Sequence, residues 1–167
     1  MCPMHKTLVD KNAMNLGDIL AKDGILPALN AQDKKQALQQ LATRAGEATG
    51  LSAHDIFAAL LQRERLSSTS LGRGIAIPHV KIAGLKKITC FFARLEKPIA
   101  FDSHDGEPVD LLFFLLAPED AGGDHLKALA RISRLVREAP TLERLRSAKD
   151  ADALRAVLTS AATSHAA

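Results

Sequence analysis

The run PVDLLFFLLA, residues 108 to 117, limits the folds open to this chain more than any other stretch. From Leu111 onward the apolar residues follow one another without the alternation of a half-solvated strand. A strand apolar on both faces has to be covered on both sides, and in an α/β protein that cover is helical. The flanking sequence supplies helices on either side of it. Asp33 is placed to cap a helix through DKKQALQQLATRAGEATG, with Leu38, Leu41, Ala42 and Ala45 on one face and Gly50 at its close. Ser52, with Asp55 three residues on, resembles a capping box. The helix it opens carries Ile56, Phe57, Leu60 and Leu61 on its buried stripe and Arg63, Glu64 and Arg65 at its end.

After SSTSLGRG the period changes. GIAI, ITCFFARL, a short PIAF and the PVDLLFFLLA run read as strands separated by Gly, Pro and Asp turn signals. Asp124 is then placed to cap HLKALARISRLVREA, where Leu126, Leu129, Ile132 or Ser133, and Val136 share helical spacing and Pro140 ends the element. TLERLRSA and DADALRAVLTSA read as two further helices. Helices, then clustered strands, then helices predict an α/β fold: a three-layer α/β/α sandwich with a small mixed β-sheet flanked by helices. Residues 1–13 read as a flexible lead-in, and residues 14–167 as one domain long enough to bury a full core.

Composition narrows the partners. The net charge of +3 suits an acidic protein surface, but with no tryptophan or tyrosine there is no platform on which bases could stack. Nucleic-acid binding is therefore not expected. Two cysteines, Cys2 and Cys90, do not make a disulfide framework, and Cys90 in its apolar run reads as a small core residue. The N-terminal stretch has no apolar secretory region, and Leu111–Ala117 is too short to span a bilayer. A cytoplasmic protein without membrane insertion is expected.

Six histidines are the candidate chemistry: His5, His54, His79, His104, His125 and His165. His5 and His165 lie near the chain ends, His54 in a helical first turn and His104 in the loop FDSHDGEP, all settings of solvated surface residues. His79 and His125 differ. Pro78 biases Ile77 to extended geometry and cannot donate to a ladder, so IAIPH reads as a strand that stops abruptly and delivers His79 at its end. Strand ends in α/β sheets are where ligand clefts open. His125 sits at the start of a helix, where the dipole disfavours imidazolium and favours an anion nearby. With Arg63, the hydroxyls of STSLGRG and its glycine-exposed amides, these residue types describe a site for a phosphoryl group. A metal site using His79, His125 and Asp124 is left open by spacing alone, although no HxH or HExxH pattern supports it.

RERLSSTSLGRGIAIPHVK, followed by PVDLLFFLLAPE and DHLKALARIS, resembles the enzyme IIA proteins of the phosphoenolpyruvate-dependent phosphotransferase system. Within that family it is most similar to the fructose/mannitol class and its nitrogen-regulatory branch. The resemblance spans about residues 15 to 160. It implies that His79 accepts phosphate from a histidine-containing phosphocarrier protein and that His125 and Arg63 support the phosphoryl group. Ser68 and Thr69 fall on the family's phosphate-binding hydroxyl positions. No metal and no cofactor is implied, the regulated targets are unnamed, and a homodimer is compatible with the chain. Relatives often carry glycine after the acceptor where Val80 stands, a β-branched residue expected to narrow the backbone there. Arg73 and Lys81, on either side, are candidates to attract an acidic or phosphorylated surface. Two other functions compete with regulation: a sugar-transport IIA that passes phosphate to a IIB domain, and a non-catalytic binding module of the same fold.

Overall fold

The computed structural model describes the backbone of residues 15–166 and the side chains of residues 15–159. The expected lead-in at 1–13, with Cys2 and His5, and the His165 side chain lie outside the described residues. The described elements run α1 (Leu16–Ile19), β1 (Leu20–Leu29), α2 (Lys34–Thr49), α3 (Ala53–Leu66), β2 (Ser70–Gly72), β3 (Ile75–Ala76) and β4 (His79–Ile82). They continue as β5 (Thr89–Ile99), β6 (Val109–Pro118), α4 (Gly123–Val136), α5 (Ala139–Ser147) and α6 (Ala151–Ala166). The sheet has the order β1-β5-β6-β3-β2, with β4 also paired to β6. It is mixed: β1 lies parallel to β5, β5 antiparallel to β6, and β3 and β4 parallel to β6. Among the described residues no helix is long and apolar enough to cross a membrane.

The PVDLLFFLLA run is β6, in the centre of the sheet, and its side chains divide between two cores. Leu111, Phe113, Leu115 and Ala117 pack with Ala128, Ile132, Leu142 and Leu154 from the C-terminal helices. Leu112, Phe114 and Leu116 pack with Leu38, Leu41, Ile56 and Leu60 from α2 and α3. The α/β/α sandwich follows from this alternation. Neither core can exist without the helices of its own side, because from Leu111 to Ala117 both faces of β6 are apolar. The caps that position α2 and α3 form as expected. Asp33 accepts from the Gln36 N–H at 2.8 Å, Gly50 closes α2 at φ 77°, and Ser52 Oγ accepts from the Asp55 N–H at 3.2 Å.

Several local expectations are corrected. β1 was not legible as a strand, because Lys22 and Asp23 interrupt it and Pro27 lies within it. It tolerates them as a sheet edge, where unpaired positions are free to carry proline and charge. PIAF is not a separate strand; Pro98 and Ile99 are the end of β5. Pro78 interrupts its strand without ending it. The Pro78 carbonyl accepts from the Leu115 N–H at 2.9 Å, and β4 resumes parallel pairing with β6 from His79 to Ile82. Proline lacks only the donor, so a ladder that needs its acceptor survives.

Gly122, not Asp124, stands at the N-cap of α4, and Asp124 lies in its first turn. The buried stripe of α4 is Ala128, Ile132, Leu135 and Val136, which leaves Leu126 68% exposed. Pro140 belongs to the first turn of α5, where a missing N–H costs nothing, and α4 has already ended at Val136.

Phe114 is fully buried and stacks on Phe91 at 5.7 Å between ring centroids. Replacing Phe114 with alanine should destabilise the fold by ~3–5 kcal/mol. Urea unfolding is expected to show a lower midpoint at unchanged slope.

Candidate phosphoryl-transfer site

Three elements bring three side chains together: the last turn of α3 carries Arg63, the start of β4 carries His79, and the first turn of α4 carries His125. At the Pro78 interruption the Ile77 carbonyl lies 2.7 Å from His79 Nδ1. A carbonyl only accepts, so Nδ1 carries the proton and Nε2 keeps its lone pair. Arg63 Nη1 donates to the Ser67 carbonyl at the end of its own helix, 3.1 Å away. Its Nη2 approaches His79 Nε2 at 3.5 Å, the outer limit of a hydrogen bond. The His125 ring stands against His79 edge to face, with centroids 5.3 Å apart and planes 61° apart. His125 Nε2 is buried and has no hydrogen-bond partner among the described residues.

Burial first, and then neighbouring cations, shift both rings toward the neutral form. Burial lowers the pKa of His79 most; Arg63 lowers it further, while the Ile77 hydrogen bond and Glu64 act in the opposite sense. His125 is lowered first by burial and then by His79, Lys81 and Arg63. The arrangement presents one uncoordinated lone pair, one guanidinium and one neutral imidazole to the same volume. An anion bound there would meet the Arg63 guanidinium and, where Nε2 carries the proton, a His125 donor.

Ser68 and Thr69 are placed beside this group but their hydroxyls are engaged in the scaffold. Ser68 Oγ donates to the Phe101 carbonyl at 2.8 Å and accepts from the Ser70 N–H. The Thr69 hydroxyl donates to Glu64, and its N–H reaches the same carboxylate at 3.3 Å. Val80 is 6% exposed and packs into the α2/α3 core, on the opposite strand face from His79, so its bulk fills the interior. Arg73 does not face the site. It adopts φ 56° and turns its guanidinium to the Val136 and Arg137 carbonyls at the end of α4. Lys81 is exposed two residues along β4 from His79. His54 and His104 are exposed. Among the described residues no group of three or more His, Cys, Asp or Glu side chains is arranged to hold a metal ion.

Sequence reasoning passed over Glu64. Its side chain is only 4% exposed and pairs with Lys34 Nζ at 2.8 Å, and Lys34 lies over the Phe101 ring. The available signal was a carboxylate in a helical last turn, where the dipole opposes it, held between two arginines.

Residues 18–161 match the model of a family described as the EIIA 2 component of the phosphoenolpyruvate-dependent sugar phosphotransferase system. The chain belongs to this family. It is 54% identical over 145 residues to a nitrogen regulatory protein of Bradyrhizobium diazoefficiens, covering 87% of this chain and 95% of that protein. It is 41% identical over 142 residues to the nitrogen regulatory protein of Pseudomonas aeruginosa, covering 84% and 92%. Among solved structures, the nitrogen regulatory protein IIA-Ntr of Neisseria meningitidis superposes with a TM-score of 0.82 at 38% identity, over 86% of this chain and 99% of that one. Membership of the family makes the chain a phosphocarrier component of a phosphotransferase system.

In this IIA protein both site histidines should titrate below the ordinary 6.5, as read by NMR of the ring protons. Arg63→Ala should move the His79 midpoint upward, because a lowering charge is removed. The sign for stability follows. Between the folded midpoints and about 6.5 the unfolded chain binds more protons, so stability is complete above that window and is lost as pH falls through it. Urea unfolding at about pH 7.5 and about pH 5.5 should show this loss, and a His79→Ala/His125→Ala variant should show less of it.

Proposed function

We propose that the protein takes a phosphoryl group on His79 Nε2 from a histidine-containing phosphocarrier protein and regulates target proteins through its phosphorylation state. The observation that carries this reading is the convergence of the free Nε2 lone pair, the Arg63 guanidinium and the unpartnered His125 Nε2. In the transfer the Nε2 lone pair attacks phosphorus and the donor's P–N bond breaks, its bonding pair returning to the donor nitrogen; a donor ring protonated on its other nitrogen leaves as neutral imidazole. His79 keeps its Nδ1 proton on Ile77, so no base is needed to activate it. Arg63 and His125 neutralise and donate to the phosphoryl oxygens in a loose transition state, where positioning and charge supply the catalysis. For Ser68 or Thr69 to reach those oxygens, the bond to Phe101 or Glu64 must first open.

Phosphorylation adds a phosphoryl group of about two negative charges to a ring that, with Nδ1 still protonated, becomes positive. The net change is about one negative charge, with the anionic oxygens outermost, enough to make or break a partner interface. The regulatory reading draws support from the nitrogen regulatory relatives, which match nearly end to end. Sugar transport is the second reading. It draws support from a Bacillus subtilis fructose-specific EIIABC component, 32% identical over 142 residues, of which the match covers 22%. A defect confined to growth on fructose or mannitol after deletion would favour transport. We place the protein in the cytoplasm with its donors.

Incubation with phosphoenolpyruvate, enzyme I and the phosphocarrier, followed by intact-mass analysis, should show one acid-labile, base-stable phosphoryl group that maps to His79. His79→Ala should accept none. Arg63→Ala or His125→Ala should slow acceptance by about ten- to a thousandfold, or roughly 1.4–4 kcal/mol, without loss of fold. Wild-type rates in both variants, or phosphate on Ser68, Thr69 or His104, would contradict the assignment.

A further inference from the structure

Beside Arg63 in the chain, residues of α2 and α3 together with Asp102 line an open depression of about 430 Å3. Such a volume is in the range of small-molecule sites. Its floor is apolar, from Leu38 and Leu61, and its walls carry three cations, Lys34, Lys35 and Arg65. Two carboxylates oppose them, Glu64 and Asp102. Glu64 is committed, since it holds both Thr69 and Lys34. Asp102 is 83% exposed, sits at φ 55°, and reaches Lys34 at only 3.3 Å. It is a weak ion pair, easily displaced. Lys35 and Arg65 are exposed, with no hydrogen bond or ion pair among the described residues. Two uncommitted cations thus stand beside Lys34, which Glu64 holds at 2.8 Å and Asp102 only weakly, around the apolar Leu38 and Leu61.

We propose that this cavity binds a small organic anion with an apolar tail, its carboxylate or phosphate head on Lys34, Lys35 and Arg65 and its tail on Leu38 and Leu61. Occupancy reaches the site through unbroken contacts. An anion on Lys34 competes with Glu64 for the ammonium. Glu64 fixes the Thr69 hydroxyl and N–H, and the Thr69 carbonyl accepts from the Ile77 N–H at 3.0 Å. The Ile77 carbonyl holds His79 Nδ1. This contiguous chain is the route assigned to the coupling, and the His79 ring signals test it. The binding half stands without the phosphocarrier reading, whereas the effect on phosphate acceptance rests on it.

Two-dimensional NMR of the full chain, titrated separately with hexyl phosphate, hexanoate, 1-hexanol and inorganic phosphate, tests this. The two amphiphilic anions should give saturable shifts at Lys34, Leu38, Leu61 and Arg65, and the His79 ring signals should move with the same saturation. In a Lys35→Gln/Arg65→Gln variant binding should weaken by about tenfold or more. Saturating hexyl phosphate should change the rate of phosphate acceptance by about fivefold or more, the lower end of ordinary coupling. No saturation, equal shifts with 1-hexanol or with inorganic phosphate, or unweakened binding in the variant would overturn the site. Saturation at the cavity that leaves the His79 ring signals in place would overturn the relay. Both shifts in a protein that never accepts phosphate would count against the phosphocarrier reading alone.

Discussion

The hydrogen bond from His79 Nδ1–H to the Ile77 carbonyl, at 2.7 Å, decides which ring nitrogen is left with a lone pair. An imidazole free to choose its tautomer presents either nitrogen. One pinned by a backbone carbonyl presents only the other. The Ile77 carbonyl is available to the ring because the Pro78 carbonyl, not that of Ile77, takes the Leu115 N–H of β6, while the Ile77 N–H bonds the Thr69 carbonyl. The pin is rigid because pairing resumes at once, His79 against Leu115 and Val80 against Leu116. The buried Val80 side chain locks the same segment from the opposite face.

Around that ring the protein leaves local interactions unsatisfied. His125 Nε2 is buried without a hydrogen-bond partner among the described residues, a condition that costs ~1–3 kcal/mol in an ordinary interior. Arg63 meets His79 only at hydrogen-bond limit, and both imidazoles are shifted toward the neutral form beside it. These features favour an anion, which brings an acceptor and negative charge to the Arg63 guanidinium. Glu64 tempers the positive field from behind. It is held by Lys34 and Thr69, so a second layer of polar contacts orients the first.

The parts of this arrangement that were legible in the sequence are those with a local signature. The two-faced apolar run of β6 implied helices on both sides, and Asp33, Ser52 and Gly50 marked helix ends through their own backbone chemistry. IPH drew attention because proline before histidine changes the ladder. What escaped depends on long-range packing. The interrupted edge strand β1 gains its partner only from β5, and the phase of α4 is set by which of its residues meet β6, which left Leu126 outside. The resumption of pairing after Pro78 required Leu115 as donor. Glu64 looked like a solvated helix end because nothing in its neighbourhood announces Lys34, thirty positions earlier, or the Thr69 hydroxyl folded onto it.

Nitrogen-15 NMR of the phosphorylated protein, with coupling from phosphorus to the ring nitrogens of His79, is the most direct measurement. Phosphorus should couple one-bond to Nε2, while Nδ1 keeps its proton and the chemical shift of a hydrogen-bonded donor. Phosphorus on Nδ1, or on a ring whose Nδ1–H is exposed to solvent exchange, would mean that the Ile77 carbonyl does not select the attacking atom.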